Sequence, residues 1–362
     1  MKFLDDENHL YAWGDNRNGS LGNNSPEDLS HIPVAVDMTG VLAGKTITDI
    51  AAGAYHALVV DSDGKLYAWG DNYRGQLGNH SNTDAPLPIE ISIDGLLAGK
   101  TITSVAAGQM FSMALDSDGK VYTWGANNEG QLGTNTYTNC NYPVSVFDTG
   151  VLNGKIISSI NAGKEHAFAL DTEGQAYAWG NNQDGQLGDV SNSDRRIPVK
   201  VYMQDINTEG QYLIAISAGA SHSAAIDSDG KAYTWGNNWS SALGINSDIA
   251  SANKPMAVYT DGLLSGKTIE QISAVYFNTF VMDSEGNLYS WGDNRWGMLG
   301  DNTETTRELA VSVVNNDNSQ FNVGTPDTPL PITLTSFTAT AKAGFIELSW
   351  ETASETNNAS FL

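Results

Sequence analysis

Tryptophan followed by glycine recurs at Trp13, Trp69, Trp124, Trp179, Trp235 and Trp291, at intervals of 56, 55, 55, 56 and 56 residues. Over a chain of 362 residues, spacing that constant means one structural unit used again and again. Such a unit buries its apolar face only by stacking on its neighbours, which restricts the chain to repeat architectures.

Aligned on the tryptophan, the units read alike, and Ile47 to Gly78, "ITDIAAGAYHALVVDSDGKLYAWGDNYRGQLG", is a complete copy. Ile47-Thr48-Asp49-Ile50 alternates apolar and polar with β-branched residues, as a half-buried strand does. A turn at Ala52 to His56 leads to the apolar strand Ala57 to Val60. Asp61-Ser62-Asp63-Gly64 is a hairpin signal, because Asp and Gly supply the positive φ angles of tight turns. Leu66 to Trp69 is the third strand, the glycine-rich loop Gly70 to Gly78 follows, and a Pro-containing strand such as Pro88 to Ile91 completes the unit.

Four short antiparallel strands per unit, with almost no helical periodicity, predict an all-β chain. The expected architecture is a β-propeller of about six to seven four-stranded blades rather than a sandwich. Each of the six tryptophans is then the aromatic plug between neighbouring blades and needs no ligand. His56, His166 and His222 share one repeat position, which Phe111 and Phe277 are expected to fill in other units. A place taken by either His or Phe is structural rather than catalytic or metal-binding.

Two motifs imitate ligand sites. Asp94 to Ile102, "DGLLAGKTI", resembles a phosphate loop, yet Thr39 to Ile47, Thr149 to Ile157 and Asp261 to Ile269 repeat it in register. A Walker loop has four residues between its glycines and opens a helix; here three separate Gly95 from Gly99 and a strand pattern follows. The Asp-x-Asp-Gly turns suggest calcium loops, but position 12, where a bidentate Glu belongs, falls on Asn72 counted from Asp61 and on Asn127 counted from Asp116. No Gly-x-Ser-x-Gly elbow, His-Glu-x-x-His or Cys-His pairing occurs. The expectation is a non-enzyme without metal or cofactor.

Composition narrows the partners. Lys and Arg number 18 against 42 Asp and Glu, a formal charge of −24, which repels nucleic acid and anionic membranes. No apolar run approaches the roughly 20 residues that span a bilayer. Cys140 is the single cysteine, so no intrachain disulfide forms. The amino-terminal "MKFLDDENHLYAWG" lacks the apolar core of a signal peptide, and the repeat pattern favours a chain that begins downstream of its true start.

The units "GAYHALVVDSDGKLYAWGDNYRGQLG" and "GKEHAFALDTEGQAYAWGNNQDGQLG" resemble the regulator of chromosome condensation repeat, with glycine, histidine, Asp-Gly or Glu-Gly, Trp-Gly and Gly-Gln-Leu-Gly in matching order. The resemblance covers about residues 3 to 315 and implies a propeller, usually of seven blades. This chain departs by showing six Trp-Gly units and by starting inside one, at Phe3-Leu4. A missing upstream segment or a six-bladed ring closed by strands from both ends would each account for that. The best-known family member is an exchange factor for a nuclear small GTPase, which implies nucleotide exchange as the alternative function. That activity uses a long hairpin wedge and basic residues, for which the spacing and charge here leave no room. The chain looks more like the secreted bacterial propellers that bind proteins through one face.

The sequence divides into the propeller at 1–315, a polar linker at 316–331 and a distinct segment at 332–362. That last segment, "ITLTSFTATAKAGFIELSWETASETNNASF" at its core, resembles the opening of the fibronectin-III-like modules of secreted Bacteroidetes-type proteins. The resemblance implies an extracellular or cell-surface location.

Because successive strands reverse direction, the turn after the first strand and the loop after the third lie at one end of a blade. At that end the repeat varies, and the candidate partner-binding residues are Tyr55, Tyr73, Arg74, Met110, Trp239, Tyr276, Arg295 and Trp296. Tyr, Trp and Arg are the residue types that dominate protein interfaces. The expectation is a monomeric module binding a protein, with a glycan as the other ligand class; a spacer role is the structural alternative.

Overall fold

A computed structural model describes residues 2–5, 7–91, 95–206 and 210–323, and the backbone of two strands beyond them. Five four-stranded antiparallel sheets follow one another along the chain, each in sequence order. The second blade shows the pattern, with strands Ile47–Ala52, His56–Asp61, Leu66–Gly70 and Ala85–Glu90. The third blade runs from Ile102 to Ser145, the fourth from Ile157 to Lys200, the fifth from Leu213 to Ala257 and the sixth from Ile269 to Ser312.

The first blade has three strands, Lys2–Leu4, Leu10–Asp15 and Leu29–Ala35. Phe3 pairs with Tyr11 and Leu4 with Leu10, as Val59 pairs with Tyr67 and Val60 with Leu66 in the second blade. Its strands therefore correspond to the second, third and fourth of the other blades. At the other end, the Val323 amide donates to the Gly286 carbonyl at 3.0 Å. The Ile102, Ile157, Leu213 and Ile269 amides make the equivalent bond where they open the next blade's first strand. The repeat register thus runs past Ser312 to Val323, across the start of the stretch that reads as linker. Farther on, Leu334–Lys342 pairs antiparallel with Phe345–Thr352; the side chains of the 332–362 segment lie outside the described residues.

The strand sequences explain the stacking. In the second, third, fourth and fifth blades the second strand is buried along its whole length, since both of its faces meet neighbouring sheets. Trp69, Trp124, Trp179, Trp235 and Trp291 are fully buried, and each indole donates across the junction to a carbonyl of the preceding blade. The acceptors are Ser20, Gln76, Gln131, Gln186 and Ala242, at 2.8–3.1 Å. Trp13, in the first blade, is half-buried. Gly78 lies so close to Trp124 that a Cβ would sit 2.8 Å from its Nε1, so the second glycine of the loop makes room for the next blade's tryptophan.

The two imitation motifs turn out to be each other's partners. Lys45 reaches Asp61 at 3.2 Å and Asp63 at 3.1 Å. Lys100, Lys155 and Lys267 do the same to Asp116 and Asp118, Asp171 and Glu173, and Asp283 and Glu285. The aspartate opening each hairpin also takes the backbone amides of the turn, as Asp61 does from Asp63 and Lys65, and a tyrosine hydroxyl, as from Tyr67 at 2.8 Å. Burial alone would raise the Asp61 carboxyl, but the Lys65 amide, the Tyr67 hydroxyl and the Lys45 ammonium outweigh it and hold the group below the usual carboxylate range. The Gly-Lys-Thr lysine therefore clips a connector to its own blade's hairpin. In the fifth blade Gln211 stands in its place and donates to Asp229 at 3.0 Å.

The histidines join neighbouring blades. His56 Nε2 meets Ser112 Oγ at 2.9 Å, His166 meets Ser223 at 3.2 Å and His222 meets Thr279 at 3.0 Å. Each hydroxyl donates onward to a carbonyl, that of Gln76, Gln186 or Ala242, so the hydroxyl oxygen accepts from the ring and the proton sits on Nε2. Phe111 takes the position in the third blade, and the residue facing it in the fourth, matching Ser112, is Ala167. In the sixth blade the position belongs to Asn278 rather than Phe277: Asn278 pairs with Gly292 as His222 pairs with Gly236. Phe277 lies one place earlier, in the turn, so the apolar Tyr-Phe dipeptide misleads the alignment by one residue.

Candidate protein-interaction face

Every loop after the third strand is built on one asparagine. Asn72 Oδ1 accepts from the Leu77 amide at 3.0 Å, while its Nδ2 donates to the Ser81 and Thr83 carbonyls at 3.0 Å. Asn127, Asn182, Asn238 and Asn294 repeat the arrangement. The asparagine fixes the loop from inside, which leaves the next two residues free to vary on its outer surface. Those positions are Tyr73 and Arg74, Asn128 and Glu129, Gln183 and Asp184, Trp239 and Ser240, and Arg295 and Trp296 in successive blades.

The candidate residues divide by exposure. Tyr73 is 70%, Trp239 81%, Tyr276 62% and Trp296 82% exposed, large values for aromatic side chains. The Arg74 guanidinium lies 5.1 Å from the Tyr73 ring centroid, a cation–π pair that stiffens both side chains. Arg295 forks onto its own loop's Asp293, at 2.9 and 2.7 Å, so it presents a neutralised pair rather than a free cation. Tyr55 and Met110 are half-buried, and their carbonyls hold the Asp71 and Ala126 amides at 2.9 and 2.8 Å; they shape the turn. The candidates on the fifth and sixth blades are thus exposed aromatics on adjacent blades, and Tyr73 and Arg74 lie on the second.

Val275 and Met298 of the sixth blade occupy positions that in earlier blades face the following blade, as Gly53 faces Gly108 and Gln76 accepts from the Trp124 indole, so their exposure is that of the last blade among the described residues. Val275 stands where other blades have Gly53, Gly108, Gly163 and Gly219, and Met298 where they have Gln76, Gln131 and Gln186. The third and fourth blades carry carboxylates at this end, with Lys164 and Arg196 among them. Glu129 is pushed above the usual carboxylate range by burial and by the charges of Asp194 and Glu165. His166 and His222 are buried inside the ring, their Nδ1 atoms make no hydrogen bond, and burial lowers them to about 3 and about 4. They are neutral structural groups. Among the described residues no cluster of His, Cys, Asp and Glu could hold a metal ion, and no helix is long and apolar enough to cross a membrane.

Trp-locked antiparallel blades in succession, with variable loops at one end, define a repeat propeller. The chain belongs to the RCC1-like domain family, whose model matches residues 1–325. It is 30% identical over 292 residues to the ultraviolet-B receptor UVR8 of Arabidopsis thaliana, covering 80% of this chain and 62% of the receptor. Over 311 residues it is 32% identical to the human E3 ubiquitin-protein ligase HERC2, which is 85% of this chain but 6% of the ligase. The solved structure of Prp20p from Saccharomyces cerevisiae shares the fold, with a TM-score of 0.75 at 22% identity over 87% of this chain and 75% of that one. The chain thus spans less than two thirds of the curated relatives it matches.

Proposed function

We propose that this chain is a non-catalytic protein-interaction module, secreted or held at a cell surface, that binds its partner through the loop face. The observation that carries the reading is the display of Tyr73, Trp239 and Trp296, at least 70% exposed, on loops fixed from inside by buried asparagines, with Tyr276 exposed in the sixth blade's first turn. Aromatic side chains on rigid loops bring large contact area at small entropic cost, which is what an interface core needs. Membership of a family whose members include a light receptor and part of a ubiquitin ligase supports interaction rather than chemistry as the role. In this reading 332–362 is a separate fibronectin-III-like segment and the propeller acts as a monomer.

The test compares partners captured from the native environment by the intact chain and by a Tyr73→Ala/Trp239→Ala/Trp296→Ala variant of equal stability. A partner held by the intact chain alone supports the loop face. Equal capture by both moves the site to the hairpin end, and accelerated nucleotide release from a small GTPase would favour an exchange factor instead.

A further inference from the structure

Asparagine followed by glycine is the dipeptide most open to attack by its own backbone, and the chain has it twice, at Asn18-Gly19 and at Asn153-Gly154. Glycine carries no side chain to shield its amide nitrogen, so that nitrogen can reach the carboxamide carbon of the preceding asparagine. The two pairs share a sequence and sit in opposite surroundings.

Asn18-Gly19 lies in the first blade's loop and is held from three sides. The Gly19 amide donates to the Asn16 carbonyl at 2.8 Å. The Asn18 carboxamide donates to Asp84 Oδ2 of the second blade at 3.0 Å. A Cβ on Gly19 would lie 2.4 Å from the Pro86 Cα, so the backbone there has no room to swing.

Asn153-Gly154 belongs to the connector that enters the fourth blade. Among the described residues no hydrogen bond engages the Gly154 amide or the Asn153 carboxamide. Asn153 is exposed, and nothing lies within 4 Å of the place a Cβ on Gly154 would take. The Lys155 amide donates to the Leu152 carbonyl at 3.0 Å, and Gly154 holds φ at 73°, as the third residue of a type II turn does. Three other connectors make the same turn with Ala43, Ala98 or Ser265 before their glycine, so the turn itself has no need of the carboxamide. The hairpin pairs Asp63-Gly64, Asp118-Gly119 and Asp229-Gly230 do not compete. Their glycine amides are bonded at 2.9–3.0 Å, and a carboxylate is a poorer electrophile than a carboxamide.

We propose that Asn153 is a modification site, deamidating in the folded chain through a cyclic imide with Gly154 while Asn18 stays intact, and that the product loosens the fourth blade's connector. The Gly154 nitrogen gives its proton to hydroxide and attacks Asn153 Cγ. A C–N bond forms as the C–NH2 bond breaks, and the departing nitrogen takes up a proton and leaves as ammonia. Water then opens the imide at either carbonyl, to aspartate or to isoaspartate; the sum is asparagine plus water giving acid plus ammonia, with no redox change. The isoaspartyl product lengthens the main chain by one methylene between the buried Leu152 and Lys155, whose ammonium holds Glu173 at 2.6 Å and Asp171 at 3.5 Å. A cavity of about 140 Å³ beside the connector, lined by Lys120, Tyr122, Val146, Asp148, Leu152 and Lys155, gives the displaced segment room. Of the four lysine clips, this is the one that water alone can release. The inference does not depend on the loop-face reading.

Incubation of the full chain at mildly alkaline pH, followed by digestion and peptide mass mapping, tests this. The expected result is an amide-to-acid mass change at Asn153 about tenfold faster than at Asn18, because only the free pair reacts without local opening. In guanidinium both pairs lose their surroundings and the two rates should agree within about twofold. Asn153→Ala should remove the change without altering the fold. Equal rates at the two sites in the folded chain, or an Asn153 that reacts only in guanidinium, overturns the proposal. The second half is read from thermal melts: the isoaspartyl fraction should melt below the unmodified chain, whereas Asn153→Asp, which adds the charge without the methylene, should melt with it. An isoaspartyl fraction as stable as the unmodified chain refutes the loosened connector.

Discussion

Acid should unfold this propeller earlier than its carboxylates alone require, because of two histidines buried between its blades. His166 and His222 are neutral in the fold, lowered by burial to about 3 and about 4 from an ordinary value of 6.5. Between those limits the unfolded chain binds more protons than the folded one, so stability falls as pH drops below 6.5 and levels off only near the folded values. From pH 6.5, where the unfolded ring is half protonated, to pH 5 each ring contributes a loss between about 1 and 2 kcal/mol, about 3 kcal/mol for the pair, the slope approaching roughly 1.4 kcal/mol per pH unit only at the acid end. Asp61 and Asp283, held low in the fold, lose their contribution only under more acidic conditions. The structure supplies the control, since Phe111 facing Ala167 is a natural ring position without a titrating group. The exchange His166→Phe/Ser223→Ala with His222→Phe/Thr279→Ala should flatten the dependence of urea-unfolding free energy on pH between 6.5 and 5. Glu129 and Asp71, whose raised carboxyls act in the opposite sense, are present in both proteins and cancel. A wild-type curve already flat over that interval, or a variant as steep as wild type, would refute the assignment of the neutral state.

The glycines of the repeat should separate by what surrounds them. Gly78→Ala, which drives a Cβ to 2.8 Å from the Trp124 indole, should cost well over 2 kcal/mol, whereas Gly99→Ala, with nothing within 4 Å, should cost about 1 kcal/mol from its φ of 71° alone; thermal melts of the two variants decide it. Gln211→Lys, which returns the ammonium that the other connectors aim at their hairpin acids, should raise the melting temperature, with a gain that shrinks as salt is added. Asn278→His alone should destabilise by roughly 1–3 kcal/mol because the ring meets Val275, and Val275→Gly should rescue it. A double-mutant cycle with no coupling between those two positions would show that the sixth blade accommodates the ring in some other way.

Much of this arrangement was legible in the sequence because a repeat supplies its own alignment. Trp69 and Trp124 stand 55 residues apart in equivalent contexts, and a residue recurring at such spacing must serve what the units share, which is contact with a neighbour. The period also identified Lys100 as a connector residue, since four phosphate loops in one ring make no chemical sense. It could not reveal that Lys100 and Asp118 bond to one another, at 2.9 Å, because that contact joins two different motifs of the same unit. The pairing of His166 with Ser223 across 57 residues was equally hidden as a motif. It becomes readable as exchange between units, histidine facing a hydroxyl and phenylalanine facing alanine.

The sixth blade defeated the reading for the reason that makes it informative. Alignment by residue type placed Phe277 where the ring should be, because a turn written Tyr-Phe looks more like a core strand than does the asparagine that follows. Strand register shows Asn278 in the ring position, and that smaller side chain lets Val275 stand where the other blades need a glycine against their ring. Trp239 and Trp296 could have been named from exposure-prone loop positions alone, and were. What composition could not say is that they differ from Tyr73, which sits on a loop with every brace intact. In a repeat protein the conserved frame measures each unit's freedom. Ser241 accepts a glycine conformation and Ala242, like Ser20, stands where other loops have a glutamine brace, so the fifth-blade loop carries Trp239 on fewer internal bonds than the second-blade loop carries Tyr73.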